Sequence, residues 1–307
     1  MSFTRSDLEN FKPKHEFFVG IDSDGCVFDS MEPKHKECFC PVTIEKWRLA
    51  GVSKYTREAW EFVNLYSKDR GCNRFLALLK TFDLLRGRPE VQRRGVEIPP
   101  LNDLLAWTRK ETKLGNPALR EEIERTRSQE LERVLDWSLE VNESVTRVVQ
   151  DVRPFPLVRD CLEKLRLKAD VVVVSSTPGE ALLREWEEND ISQYVAVIAG
   201  QEMGSKKEHL ELATRGKYQP GRVLMIGDAV GDLKAARAND VMFYPIEPGR
   251  EEGCWERFCR EIIDLFMNDL YGQELESALI TEFDACLPLD PPWGGRFTSP
   301  SWDTTRR

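Results

Sequence analysis

The chain lacks any run approaching the roughly 18 consecutive apolar residues that a bilayer-spanning helix requires. Its opening stretch, Met1–Lys14, is polar and mixed in charge, without the apolar centre of a secretory signal. Positive charge is not in surplus: 44 Lys and Arg against 53 Asp and Glu leave a net charge of −9. That balance argues against a nucleic-acid backbone as partner. Paired cysteine spacing is missing as well. The eight cysteines stand at 26, 38, 40, 72, 161, 254, 259 and 286. Only Cys38-Phe39-Cys40, with His35 just ahead, is close, and the second cluster of a structural zinc site is absent. The cysteines read as buried free thiols of a reducing compartment, and the protein as cytoplasmic. Internal repeats and low-complexity tracts are missing too.

What is there describes a soluble globular chain. Its 307 residues are 41% hydrophobic and 32% charged, enough for about two domains with a sizeable core. One stretch organises the rest. Phe17-Phe18-Val19-Gly20-Ile21 is a short apolar run of the kind a buried parallel strand shows, and it runs into Asp22-Ser23-Asp24-Gly25. Two carboxylates therefore follow the carboxyl end of a central strand, where open α/β sheets bind ligands. Alternation along an extended chain sends Asp22 and Asp24 to one side and Ser23 to the other. Like charges held that close repel, which raises a pKa or recruits a cation. An aspartate can also attack phosphorus and form an aspartyl-phosphate.

From about Met31 to Gln150 the β-rich runs stop and helical spacing takes over. Residues 56–66, 73–86 and a segment from Leu101 read as helices, with a break at Gly87-Arg88-Pro89. Residues 118–139 carry Ile123, Leu131, Leu135 and Leu139 on one stripe of a charged, solvated helix. The α/β pattern then returns. A helix over 157–167 precedes a strand over 169–174, which ends at Ser175-Ser176-Thr177. Helix 180–188, strand 195–199, the Gly204-Ser205-Lys206-Lys207 loop and helix 208–213 follow. Strand 222–226 leads into Gly227-Asp228-Ala229-Val230-Gly231-Asp232, then helix 233–239 and strand 241–246. Such alternation implies a right-handed, doubly wound parallel sheet. Helices near 254–269 and 273–283 and a proline-rich tail close the chain. The expected domains are an α/β core from 1–30 and 151–250, a helical insert at 31–150, and a C-terminal helical extension with a tail at 251–307.

Polar groups thus gather at four places along one sheet edge: Asp22 and Asp24, Ser175, Lys206, and Asp228 with Asp232. Carboxylates with a hydroxyl and an ammonium suit a hard cation such as Mg²⁺ together with a phosphate. In this ordered set the chain resembles the haloacid dehalogenase-like hydrolase superfamily. The resemblance rests on Asp22-x-Asp24-Gly25, Ser175 after its β-run, Lys206, and Gly227-Asp228-x-x-x-Asp232. It covers about residues 15–30 and 151–250.

The resemblance implies a Rossmann-like core and a role for each matched residue. Asp22 is the implied nucleophile, and Asp24 the acid that protonates the leaving oxygen and then the base that activates water. Ser175 would donate to the phosphoryl oxygens, and Lys206 would offset charge on Asp22 and the transferring group. Mg²⁺ would be held by Asp22, the Asp24 carbonyl, Asp228 and Asp232. Superfamily members that are dehalogenases or phosphonate hydrolases lack the second acid, so Asp24 favours phosphate-ester cleavage or phosphate migration. Two departures stand out. Cys26 occupies a position usually held by Thr, and Lys207 duplicates Lys206, of which Lys206 is the favoured phosphate-site lysine.

The insert lies where the superfamily places a cap that excludes water and reads the leaving group. Within it, Lys68-Asp69-Arg70-Gly71-Cys72-Asn73-Arg74 puts three cations ahead of an apolar helix. Lys68, Arg70 and Arg74 are candidate substrate-binding cations, in balance with a plain helix boundary. Gly25 and Ser176 are further substrate-binding candidates. Asp29 stands near the first motif, and His209 reads as a helix-surface histidine. The reading is a Mg²⁺-dependent phosphatase of a small phosphorylated metabolite, without nucleic-acid or membrane partners. The alternatives are a sugar-phosphate phosphomutase using the same residues, and a catalytically silent metabolite-binding protein.

Overall fold

The computed structural model describes residues 3–294. The chain forms two compact units. One combines the residues up to Met31 with Asp151–Cys286, and the other combines Glu32–Gln150 with the chain from Leu287.

Five parallel strands build the first unit: β1 Phe17–Ile21, β2 Ala169–Val174, β3 Val197–Ala199, β4 Val223–Gly227 and β5 Met242–Pro245. Their order is β3-β2-β1-β4-β5. The apolar runs read as buried strands because both sheet faces are covered: every residue of β1, β2 and β4 is buried. Helices Val158–Leu165, Gly179–Glu188, Lys206–Thr214 and Val230–Arg237 alternate with the strands. Chain order reverses at β1, with β2 and β3 on one side and β4 and β5 on the other, which makes a topological switch point. Register levels the strand ends there. Ile21 stands opposite Val173 on one side and Ile226 on the other.

The expected strand at 195–199 starts at Val197, because Ser192–Tyr194 closes a 3₁₀ turn. The helix expected near 254–269 runs from Glu251 to Met267 and carries a π turn at Phe258–Ile262. Helix Gln273–Cys286 completes this unit, with Glu276 accepting from the backbone N–H of Phe243 at 2.7 Å.

The second unit is helical throughout its described residues. Trp47, Trp60, Phe75, Phe82, Trp107 and Trp137 form its core, and the Trp137 indole N–H donates to Thr43 Oγ1 at 2.9 Å. The helical stripe expected over 118–139 is two helices, Asn116–Thr126 and Gln129–Val148. Arg127 turns left-handed at φ 57°, and the Ser128 side chain then caps the second helix by accepting from Leu131 N–H. An N-cap serine inside an apolar stripe restarts a helix on nearly the same face, so the stripe survives the break. The chain from Leu287 to Gly294 packs on this unit. The Lys68 N–H donates to Pro288 O at 3.3 Å, and Trp293 meets Phe62 edge-on at 5.6 Å. The Arg88 guanidinium lies 4.5 Å from the ring centres of both Trp293 and Tyr55. Among the described residues no helix is long and apolar enough to cross a membrane.

Candidate active site

The site begins where β1 ends. Asp22 extends the ladder by one bond, its N–H donating to Ile226 O at 3.0 Å, and its carboxylate is buried. Asp22 Oδ1 accepts from the Ser23 N–H at 2.8 Å. Ser23 points the other way, its Oγ accepting from the Trp186 indole at 3.0 Å. Gly25 makes the turn that follows at φ 76°, a region that L side chains avoid. That turn lets the Gly25 N–H donate back to Phe28 O at 2.8 Å. Asp24 is held by two hydroxyls: Thr177 Oγ1 donates to its Oδ2 at 2.6 Å, and Ser30 Oγ donates to its Oδ1.

β4 supplies the second group of carboxylates. Asp228 follows Gly227 and is buried. Asp232 lies in the first turn of helix Val230–Arg237, where its Oδ2 accepts from the Ala229 N–H at 3.1 Å. A β-carbon on Gly227 would lie 2.5 Å from both Cβ and Cγ of Asp232, so the close approach requires glycine. Lys206 opens helix Lys206–Thr214 behind the N-cap Ser205, whose capping box with Glu208 fixes the helix start. From there its Nζ reaches Asp22 Oδ2 at 2.7 Å and Asp232 Oδ1 at 2.6 Å. Of the two adjacent lysines it is Lys206 that makes these bonds.

Ser175 is buried one residue past β2. Its N–H donates to Ala199 O at 3.0 Å, and its Oγ accepts from the Thr177 N–H at 3.2 Å. Ser176 beside it is exposed, as is Asp29.

Burial pushes the Asp22 carboxyl well above the usual carboxylate range; Lys206 opposes this, while Asp232 and Asp228 add to it. Asp232 is raised for the same reason, with Lys206 again opposing and Asp228 adding. Burial by itself would lower the Lys206 ammonium, but the two carboxylates outweigh it and the pKa rises. One ammonium thus faces three buried carboxylates. Among the described residues, Asp22, Asp228 and Asp232 are the group able to hold a metal, with ligand atoms within 4.8 Å of one another. An all-oxygen donor set with surplus negative charge fits a hard divalent cation.

Three cations singled out in the insert belong to the helical unit. Arg70 is buried and its Nη1 donates to Leu65 O at 3.0 Å, so it ties down its own turn rather than presenting a free guanidinium. Lys68 lies in the same turn, its backbone engaged by Pro288. Arg74 Nη1 donates to Ser138 O, Ser138 Oγ and Asn142 Oδ1. His209 is fully buried rather than on the helix surface. Burial lowers its pKa to about 4, and the imidazole is neutral near neutral pH. A lone histidine directly after Lys206, Lys207 and Glu208 gives no periodic signal that it faces inward.

Thr177 and Ser30 were not foreseen from sequence. A hydroxyl two residues past Ser175 was the available sign for the first; Ser30 had none. A family model described as haloacid dehalogenase-like hydrolase matches residues 106–246. Over that span the chain is similar to this superfamily. The matched span holds Ser175, Lys206, Asp228 and Asp232, while Asp22 and Asp24 lie before it. Superfamily hydrolases generally use a divalent metal, in keeping with the acidic cluster.

Solved structures similar to this chain include a haloacid dehalogenase-like family hydrolase from Streptococcus pneumoniae. It has 15% identity and TM-score 0.43, over 78% of this chain and 90% of that one. A predicted phosphatase from Clostridium acetobutylicum has 14% identity and TM-score 0.43, over 84% and 100%. A subfamily IA hydrolase from Geobacter sulfurreducens has 14% identity and TM-score 0.38, over 76% and 88%. No curated protein sequence matches the chain.

Proposed function

We propose that the protein is a Mg²⁺-dependent phosphatase of a small phosphorylated metabolite, working through an aspartyl-phosphate on Asp22. The observation that carries this reading is the division of labour between two carboxylates. Asp22 is buried against Lys206 and the other aspartates, whereas Asp24, two residues on, is held apart by Thr177 and Ser30. A nucleophile and a separate proton carrier need such different surroundings.

In this reading an oxygen of Asp22 attacks the phosphorus of a phosphate monoester as the bond to the leaving oxygen breaks. Asp24 gives that oxygen its proton. The resulting carboxylate of Asp24 then takes a proton from a water molecule, which attacks the phosphorus and frees both phosphate and Asp22. Lys206 holds Asp22 in position and offsets charge on the transferring group, and Ser175 offers its hydroxyl to the phosphoryl oxygens. Mg²⁺ would be held by Asp22, Asp228 and Asp232 with the Asp24 carbonyl, and supplies positive charge that lets an anionic phosphate approach an anionic nucleophile. Gly25 and Ser176 belong to the loops beside the phosphate, and the helical unit would serve as the cap.

The test is phosphate release from p-nitrophenyl phosphate and a metabolite panel, with and without Mg²⁺, for the native chain and Asp22→Asn. Mg²⁺-dependent turnover that Asp22→Asn abolishes supports the reading. Folded protein that releases no phosphate overturns it, and interconversion of sugar phosphates would then assign a phosphomutase.

A further inference from the structure

The turn over residues 22–28 carries both Asp22 and Asp24, and much of it is closed by its own backbone. Ser23 O accepts from the N–H groups of Cys26 at 3.3 Å, Val27 at 2.9 Å and Phe28 at 3.0 Å. The Gly25 N–H donates back to Phe28 O at 2.8 Å. A turn bonded only to itself could still tilt as one body against the sheet. The bonds that leave it therefore decide where it stands. Val27 O accepts from the Phe155 N–H at 2.9 Å, and Cys26 O accepts from the Trp255 indole N–H at 2.8 Å.

Trp255 comes from helix Glu251–Arg257, after β5 and beyond the span that the family model matches. It is fully buried, and its own place is fixed. The Tyr244 hydroxyl, on β5, donates to Cys254 O at 2.7 Å, and the indole meets the Phe258 ring edge-on at 5.6 Å. A buried indole N–H takes an acceptor. Here the acceptor is the backbone of the turn that bears the aspartates, 229 residues away in sequence. Cys26 is itself fully buried, so without the indole its carbonyl would be shut away from water with a bond unmade. Of residues 22–28, Asp24 alone is not buried. Holding the buried flank of a closed turn thus sets where its open flank presents Asp24.

We propose that Trp255 is a positioning residue for Asp24, fixing through Cys26 O the turn from which Asp24 reaches the leaving oxygen. Thr177 and Ser30 orient the Asp24 carboxyl group; Trp255 places the backbone beneath it. A proton carrier displaced by a fraction of an ångström transfers its proton less well. The helix after β5 is in this way part of the active site's support, without touching substrate. The role of Asp24 rests on the phosphatase reading, whereas the hold on the turn stands on these contacts alone.

The test is Trp255→Phe in the full chain, which keeps an aromatic ring in the core and removes the N–H. Amide hydrogen exchange reads the turn directly. The amides of Gly25, Cys26, Val27 and Phe28 should exchange about tenfold faster in the variant, while those of β1 keep their native rates. Unchanged turn amides, or equal acceleration in the turn and β1, overturn the proposal. Kinetics then read the effect on Asp24. For an alkyl phosphate, whose leaving oxygen needs a proton, kcat should fall by about tenfold with KM little changed. For p-nitrophenyl phosphate, with its acidic leaving group, kcat should fall much less. Equal losses on both substrates, or none, assign Trp255 to packing alone and overturn the proposal. Should Trp255→Phe fail to fold, benzothienylalanine at position 255 keeps the shape of the indole without its N–H, and the same outcomes decide. If the native chain turns over no phosphate ester, the phosphatase reading fails, while the exchange rates still decide whether Trp255 holds the turn.

Discussion

The Lys206 ammonium donates to Asp22 across 2.7 Å, although 184 residues separate the two in sequence. The same nitrogen holds Asp232 at 2.6 Å, so one side chain ties the end of β1 to the helix after β4. Removing it leaves two buried carboxylates without their cation. Lys206→Met is expected to destabilise the metal-free protein by about 3–5 kcal/mol, the range for breaking a buried pair. Mg²⁺ should restore part of that loss, and thermal melts with and without the ion measure it. A melting temperature unchanged by the substitution would show that the lysine does not hold the carboxylates.

Thr177 and Ser30 present Asp24. Thr177→Val removes a 2.6 Å hydrogen bond without changing the side chain's shape. Turnover of an alkyl phosphate, whose leaving oxygen needs a proton, should fall by about tenfold, the size of one lost charge-assisted bond. Turnover of p-nitrophenyl phosphate, with its acidic leaving group, should fall much less. Equal losses on both substrates would rule out a role through the proton carrier.

Gly227 leaves room for Asp232. Gly227→Ala would put a methyl group 2.5 Å from the Asp232 side chain, which must then move. The expected outcome is weaker Mg²⁺ binding, by about tenfold as for lost support of a ligating group. Calorimetric titration of the metal checks this, and wild-type affinity would contradict it.

His209 makes the core acid-sensitive. Its pKa falls from 6.5 to about 4 on folding because burial disfavours the charged ring. The unfolded chain therefore binds more protons than the folded one between those values, and stability rises with pH across that window. As pH drops from about 6.5 to about 4 the native state should lose on the order of 3 kcal/mol through this residue, then no more below that. His209→Leu should flatten that part of the pH–stability curve, measured by urea unfolding at successive pH values. A curve of the same slope would assign the acid sensitivity to other groups.

Much of the core was legible because parallel strands buried on both faces leave continuous apolar runs. Phe17–Ile21 and Ala169–Val174 appear in the sequence with the bounds the structure has. The carboxylates past those runs could be located for the same reason, since a strand end is also a break in hydrophobicity. Less regular features escaped. Arg127 and Ser128 break a helix without interrupting its apolar stripe, and the π turn at Phe258–Ile262 has no period of its own.

By itself the sequence determined the strand and helix alternation, the glycines that permit the tight approaches, and the order of aspartates, serine and lysine along the chain. Local hydrophobicity and spacing carry that information over a few residues at a time. Tertiary structure decided which side chains meet: that Lys206 reaches both Asp22 and Asp232, that Thr177 and Ser30 hold Asp24, and that Arg70 is tied to Leu65 while Arg74 reaches Ser138 and Asn142. It also placed Trp293 against Phe62. These are contacts between segments far apart in the chain, set by sheet register and helix packing, and no short-range pattern encodes them.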